Sequence, residues 1–585
     1  DTPAVNPTTG IHEHVTIGEI VRYRVVVNVP EGGRTGYQIQ ITLDDGLEFI
    51  TTNLNNVLVG LISNTGLTSS LGSGLVSSGN PTITGDQNAP QASLIDPNLV
   101  NPLTAVLNSS QISVSADGRT VTFSFGDLTT TDSNDGNLEG LALEFNVRVS
   151  NQASNQAGDQ LAVTARDFVD NGATLISTSE ALYQDLVEPG FTGMDKTVTA
   201  FDPNPGGSTG TATVAVVFTQ NGGLPAYDAV LTDGFTGGSA YSLTSITIGS
   251  TTYLAGDLPA AGISFSTSGG LTVNFEQLDV GTQVHVVYEV TVPNDALVSQ
   301  ANGTATLRWS SLPEDFTGWG GSTVGTDGDT SGERNGNSGV NDYVLSSAVG
   351  LGIIAGTLWD DTASATASTT PDGAGLAGQT VTLTWAGADG NLLTAFDNVT
   401  FNTTTDINGQ YSFGVLPTGI YRIDTPSGTI NYPQPLGDLR VRIDSDGSSL
   451  GQIVVTLGEG QQVSADAGYV EQNDAPVNTL PGTQNGSEDT PLSITGISIA
   501  DVDADRDPVV ANRNLSVTLS VLHGTLWLSS TPAGVTVSGA NSAQLTLTGT
   551  QDNLNLALAN LNYQGALNYN GQDNLTVLTN DLGSF

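Results

Sequence analysis

Apolar and polar residues alternate along much of this chain, and that rhythm admits one class of fold. Residues 37–43 read YQIQITL, 112–125 read ISVSADGRTVTFSF and 282–292 read TQVHVVYEVTV. Successive side chains of a strand point to opposite faces, so each stretch offers one face to a core and one to water. Asp117-Gly118, in the middle of the second stretch, is a hairpin-turn signature. A helical period appears once, in TQDNLNLALANL at 550–561, enough for about three turns. The expectation is an all-β protein: tandem Ig-like or Greek-key β-sandwiches arranged as an elongated rod.

Length and composition agree with several modules. The chain has 585 residues, and 37% hydrophobic content with 71 glycines suffices for cores. It carries 59 acids against 14 bases, a formal charge of -45. Such a surface repels nucleic acid and anionic membrane and attracts divalent cations. Charged residues are nonetheless only 12% of the chain, about half the usual share. The polar surface is therefore mostly Ser, Thr, Asn, Gln and Gly. With no Cys there are no disulfides and no thiolate metal sites. No apolar run is long enough to span a bilayer. The opening DTPAVNPTTG lacks the character of a signal peptide, and the chain reads as a mature or internal piece of something longer.

An internal repeat divides the first half. Residues 18–49 match 210–235 in order and pattern, 112–128 match 263–279, and 143–158 match 287–303. Two copies of one sandwich are predicted at 1–188 and 189–348, the first with a Ser/Gly/Asn-rich loop insertion near 60–105. Copy one carries Gly18-Glu19, Tyr23, Pro30 and Gly46-Leu47. In these residues both copies resemble the conserved-repeat and isopeptide-forming fimbrial domains of bacterial surface proteins. Residues 349–471 contain GTLWDD (356–361), GLAGQTVTLT (375–384) and TTTDINGQYSFGVLPTGIYRI (403–423). That order resembles the B-type repeats of collagen-binding and serine-aspartate adhesins. Residues 472–585 open with NDAPV, continue SEDTPLSITGISIADVDAD and end near QGALNYNGQDNLTVLTND. They resemble the cadherin-like tandem repeats of giant bacterial adhesins, without the last strand of that pattern.

The acidic clusters follow from these readings. Asp501, Asp503, Asp505 and Asp507 fall at every second position. On a strand their carboxylates would stand about 6–7 Å apart on one face. Adjacent pairs would repel by roughly 2–3 kcal/mol at an effective dielectric near 20, and by about 0.6 if fully solvated. Calcium, which takes six to eight oxygens, would offset that repulsion; a solvated acidic loop would need no ion. The cadherin-like resemblance implies interdomain calcium at Asn473, Asp474, Glu488, Asp489, Asp501 and Asp503, with Asp581 serving the junction that follows. Asp327, Asp329, Ser331, Gly332 and Glu333 copy half a calcium loop, but its twelfth position is Ser338, and a flexible Gly/Asn linker is the alternative. Asp360, Asp361, Asp406 and Asn408 form a third candidate, against plain turn chemistry.

The single lysine, Lys196, begins the second repeat. The fimbrial resemblance implies a candidate isopeptide between Lys196 and Asn302, promoted by a buried Asp233; a surface lysine is the plainer alternative. Enzyme signatures are thin: GGSTG at 206–210 sits in a Pro/Gly loop, not between a strand and a helix. The expectation is a non-catalytic extracellular protein of the bacterial cell surface, a calcium-stiffened stalk segment of an adhesin or matrix protein. Its partners would be calcium, neighbouring domains or subunits, and host or surface glycans, with no nucleic acid and no membrane insertion. The alternatives are a subunit of a self-assembling filament, sheath or surface layer, and the accessory domains of a secreted enzyme.

Overall fold

A computed structural model describes residues 13–582 apart from 30, 64–65, 85–102, 132–138, 205–206, 294–300, 315, 317–328, 337–342, 362–365, 388, 395, 428–429, 433–436, 472 and 505–512. The protein is all-β. Contacts divide it into two compact units: Asp1–Ala200 with Ala212–Thr291 and Asn302–Val349, and Phe201–Thr211 with Val292–Ala301 and Gly350–Phe585.

The first unit holds two sandwiches of one topology. In the first, one sheet runs in the order Gln160–Val169, Gly33–Leu43, Thr120–Thr130, Ile112–Val114; the other centres on Glu139–Val149 between Ile20–Val29 and Leu58–Ser63. In the second, Ala301–Ser310, Ala226–Phe235, Leu271–Leu278 and Ile263–Ser266 take the corresponding places. Opposite them, Gln283–Pro293 lies between Thr209–Gln220 and Ser239–Ile248. The alternation read in the sequence becomes the inside and outside of these sheets. Ile39, Ile41, Val121, Phe123, Phe125, Leu143, Phe145 and Val147 fill the first core. Val214, Val216, Phe218, Leu231, Val273, Phe275, Val286 and Leu307 are buried in the second. The Asp117-Gly118 hairpin closes as Ile112–Val114 pairs with Val121–Phe123, and the amide of Arg119 donates to the Asp117 carboxylate at 3.1 Å.

Glu139–Val149 is buried on both faces, and its outer face is polar. There Glu144 accepts from both Arg22 and Arg24, and Arg148 pairs with Glu48 at 3.2 Å. Scarce cations are thus used internally: Arg22, Arg24, Arg119, Arg148, Lys196, Arg334, Arg422 and Arg442 all form intramolecular ion pairs.

In the second unit, Val399–Thr404, Thr380–Trp385, Gly419–Asp424 and Gln452–Leu457 form one sheet. It packs around Leu383, Phe413, Tyr421, Ile423 and Tyr469. A further sandwich spans Val477–Asn580, with the sheet order Thr536–Ser538, Gln544–Gly549, Leu515–Ser520, Thr576–Asn580. Its helix is Gln551–Leu558, shorter than the sequence period suggested. Leu554, Ala557 and Leu558 enter the core, and Leu561 has already begun the next strand. No helix among the described residues is long and apolar enough to cross a membrane.

Candidate functional site

Asp501 and Asp503, the described half of the acidic motif in the last sandwich, do not lie on a strand. Ser498–Ala500 ends before them, and the chain turns so that the amide of Asp503 donates to Oδ1 of Asp501 at 3.2 Å. The short helix holds this turn in place. Asn555 brackets Ile499, accepting from its N–H at 2.8 Å and donating to its carbonyl at 2.9 Å. One helical turn earlier, Gln551 accepts from the amide of Asp501 at 2.5 Å. Residues four apart share a helix face, so the two polar side chains grip the segment together. The linker closes on the same spot: the Asp474 amide donates to Oδ2 of Asp503 at 2.6 Å, and Asn473 Nδ2 donates to Oδ2 of Asp581 at 2.9 Å.

Two carboxylate oxygens at this pole accept no hydrogen bond from an N–H or hydroxyl group. They are Oδ2 of Asp501 and Oδ1 of Asp503, both buried. Asp503 is wholly inaccessible and Asp501 is 9% exposed. Burial first, and then the hydrogen bond and charge of Asp501, push the Asp503 carboxyl up to about 7. Among the described residues no group of three or more His, Asp or Glu side chains is arranged to hold an ion. The pole presents a carboxylate pair, and Asp505 and Asp507 lie outside the described residues.

The structure therefore places Asp474 and Asp501 against Asp503, and Asn473 against Asp581. Asp581 meets the preceding linker, because Thr576–Asn580 runs antiparallel to Leu515–Ser520 and ends beside its start. Glu488 and Asp489 are placed apart. Asp489 accepts from the amide of Asn568 at 2.9 Å, whereas Asp501 meets Gln551, so the strand between them separates the two acidic elements. Glu488 is exposed.

The other acidic candidates are engaged in different ways. Asp406 caps its own turn, accepting from the amides of Asn408 and Gln410, each at 2.8 Å; this is turn chemistry. Asp360 lies at the end of its strand, its amide donating to the carbonyl of Ala374 at 2.8 Å. Asp361 is buried with Oδ2 3.2 Å from Nη1 of Arg442. Burial raises its pKa, opposed by Arg442. Asp327 lies outside the described residues and Asp329 is exposed. The Glu333 carboxylate accepts from the amide of Leu312 at 3.1 Å.

Lys196 is not a surface lysine. Its side chain and that of Asp233 are both fully buried, with Nζ 2.5 Å from Oδ1. Tyr288 donates to the other oxygen at 2.7 Å, and the Phe235 ring lies 4.1 Å from Nζ. Burial lowers the Lys196 pKa against the pull of Asp233. Burial and the Asp233 charge together raise that of Tyr288. Lys196 and Tyr288 come from one sheet and Asp233 from the other, so the ion pair staples the sandwich. Asn302 is exposed, its carbonyl accepting from the amide of Thr236 at 2.9 Å. The next residue faces inward instead, and it is Gly303. A Cβ there would lie 2.6 Å from Lys196 Nζ. The position that faces the amine thus has no side chain, and the residue with an amide faces away. The geometry does not provide the Lys196–Asn302 bond.

No protein-family model matches the sequence, and no curated protein is significantly similar to it. Among solved structures, the full-length major pilin SpaD of Corynebacterium diphtheriae aligns at 12% identity. The match covers 75% of this chain and 90% of that one, with a TM-score of 0.28. The major pilin SpaA of the same organism aligns at 13%, covering 62% and 90%, with a TM-score of 0.26. BcpA, the major pilin subunit of Bacillus cereus, aligns at 13%, covering 61% and 93%, with a TM-score of 0.20. Scores this low do not establish a common fold over the aligned length, and the architecture rests on the strand registers above.

Proposed function

We propose that this chain is an extracellular structural or adhesive protein, a stalk segment of a bacterial surface adhesin or matrix protein, stiffened by calcium at the linker before its last sandwich. The observation that carries the metal is the pair of buried oxygens on Asp501 and Asp503, beside Asp474, that accept from no N–H or hydroxyl group. Leaving such oxygens unmet in a dry site is costly, and a hard cation satisfies them. Calcium, when bound, would neutralise the paired carboxylates. The chain's own residues do the rest: Gln551 and Asn555 fix the acidic turn, and the Asp474 amide ties the linker to it. Asn473, next to Asp474 in the linker, is held by its hydrogen bond to Asp581.

Calorimetric titration of the chelated full chain with calcium tests this. Saturable binding and a higher melting temperature are expected, both lost in the Asp501→Asn/Asp503→Asn variant. No heat and an unchanged melt at millimolar calcium would overturn the metal.

A second reading, a subunit of a self-assembling filament or surface layer, is favoured by the position of Thr576–Asn580 at the end of its sheet order among the described residues. Its Leu578 is exposed. An edge strand presents backbone groups on which another strand can add. Concentration-dependent sedimentation distinguishes this reading, since a chain that stays monomeric throughout excludes it.

A further inference from the structure

The Gly/Asn-rich segment ahead of Tyr343 reads as a linker, yet residues 332–336 are all buried. At their centre is Arg334, with a fully inaccessible side chain. The oxygens that accept from its guanidinium belong to the first sandwich, while the Tyr343 ring lies 5.9 Å from it. Nε donates to Oδ1 of Asn151 at 3.0 Å, Nη1 to the carbonyl of Asn155 at 3.1 Å, and Nη2 to the carbonyl of Gln152 at 2.7 Å. Glu188 supplies the counter-charge. Asn151 returns the grip: its amide donates to the carbonyl of Thr330 at 3.0 Å, and Nδ2 reaches the carbonyls of Asp329 and Glu333, each at 3.3 Å.

The same segment is sewn to the second sandwich through its backbone. Arg334 N donates to Oγ of Ser311 at 3.1 Å, and Ser311 N donates to the carbonyl of Arg334 at 3.0 Å. Arg308 Nε donates to the carbonyl of Gly336 at 3.0 Å. Two contacts close the joint directly. Ser311 Oγ donates to the carbonyl of Ile17 at 2.9 Å, and Tyr343, stacked on Trp309, donates to Glu188 at 2.8 Å. Gly18 has a φ of +84°, and a Cβ there would lie 2.8 Å from the Glu333 Cα. The first sandwich is shaped to let the segment in.

We infer that the loop at 150–156, with Glu188, is a docking site for the chain's own segment 329–336. With Arg334 seated there, the first two sandwiches are one coupled body instead of two beads on a string. A planar guanidinium meets four oxygens with directional bonds. A buried cation with four of its five N–H groups bound to fixed acceptors has one orientation, so the joint has one geometry. The inference is independent of the calcium reading.

The test is hydrogen exchange with mass spectrometry on the full chain, with Arg334→Gln and Asn151→Ala beside the wild type. The amides of Asn151, Ser311, Leu312 and residue 334 report the clasp; those of Glu139–Val149 and Ala226–Phe235 report the sandwiches themselves. In Arg334→Gln the four clasp amides are expected to exchange about tenfold faster or more, as in a local opening. The strand amides should hold, and the melt of the first two sandwiches should split into two transitions. Unchanged exchange at the four amides, or free exchange there in the wild type, overturns the inference. If Arg334→Gln loses protection throughout, Asn151→Ala decides, because it keeps the Arg334–Glu188 pair and removes only the Asn151 side-chain bonds. Faster clasp exchange with intact strands supports coupling, and no local change refutes it. Calcium-dependent stabilisation should be the same in all three proteins, so failure of the metal reading would not be mistaken for failure of this one.

Discussion

At the scale of single residues, the buried Lys196–Asp233 pair makes the sharpest demand. Removing one member strands the other charge in a dry site, which costs about 3–5 kcal/mol. Lys196→Met should therefore destabilise the second sandwich by that order in denaturant unfolding. Lys196→Met/Asp233→Leu should recover part of the loss, since the apolar pair needs no partner while the buried Tyr288 hydroxyl loses its acceptor. The intact mass should equal the uncrosslinked sum, because Gly303 faces the amine and Asn302 does not. Loss of an ammonia would contradict that geometry. Asp503 makes a demand of a different sign. Its folded pKa lies above its ordinary value, at about 7 against 3.8. Between those values the folded state binds more protons than the unfolded one, so metal-free stability falls as pH rises through that window. The melting temperature in chelator should drop from pH 5 to pH 8, and calcium should restore more at pH 8 than at pH 5. Asp503→Asn should flatten both trends. Lysine's importance was legible because there is only one, and Asp233 was legible from the fimbrial resemblance. Tyr288 and Gly303 were not, since their roles depend on which strands of the opposite sheets face each other.

At the scale of elements, the helix Gln551–Leu558 is the part whose shape matters to the site. Only eight residues long, it draws its stability from burying Leu554, Ala557 and Leu558. Its polar face does the positioning. Asn555→Ala removes both hydrogen bonds to Ile499, and buried backbone groups left unmet cost about 1–3 kcal/mol each at most. A loss in the lower part of that range is expected in thermal melts, with a larger proportional loss of calcium affinity than the melt alone explains. Equal calcium affinity in Asn555→Ala and wild type would show that the acidic turn needs no such support. The strands and the Asp117-Gly118 hairpin could be read from alternation and turn chemistry, which are local properties. The helix could be read from its period, but its end could not, because Leu561 leaves for a strand only to pair with Leu528 of a neighbouring strand in the same sheet. Gln551 and Asn555 carried a faint signal: two polar amides four apart beside buried leucines. Arg334 carried none, as an arginine among Gly, Asn and Ser reads as linker until Asn151 and Glu188 are folded beside it.

At the scale of the whole molecule, the charge balance sets the behaviour in salt. With a formal charge of -45 and at least eight of its fourteen bases paired internally, the protein leaves its acids largely uncompensated at the surface. Self-repulsion on this scale destabilises the compact state and is screened by any salt. Raising sodium chloride from about 0.01 M to 1 M shortens the screening length from about 30 Å to 3 Å, so the melting temperature should climb and then level off. That rise alone would imitate metal binding. Calcium must therefore be added at constant, high ionic strength, where screening is already complete. An increment that survives there belongs to a site, because buried Asp501 and Asp503 are screened far less than surface carboxylates. The Asp501→Asn/Asp503→Asn variant separates the two effects: it should keep the full sodium response and lose the calcium increment. If both proteins gain equally from calcium at high salt, the cation acts on the diffuse surface charge and the pole of the last sandwich holds none.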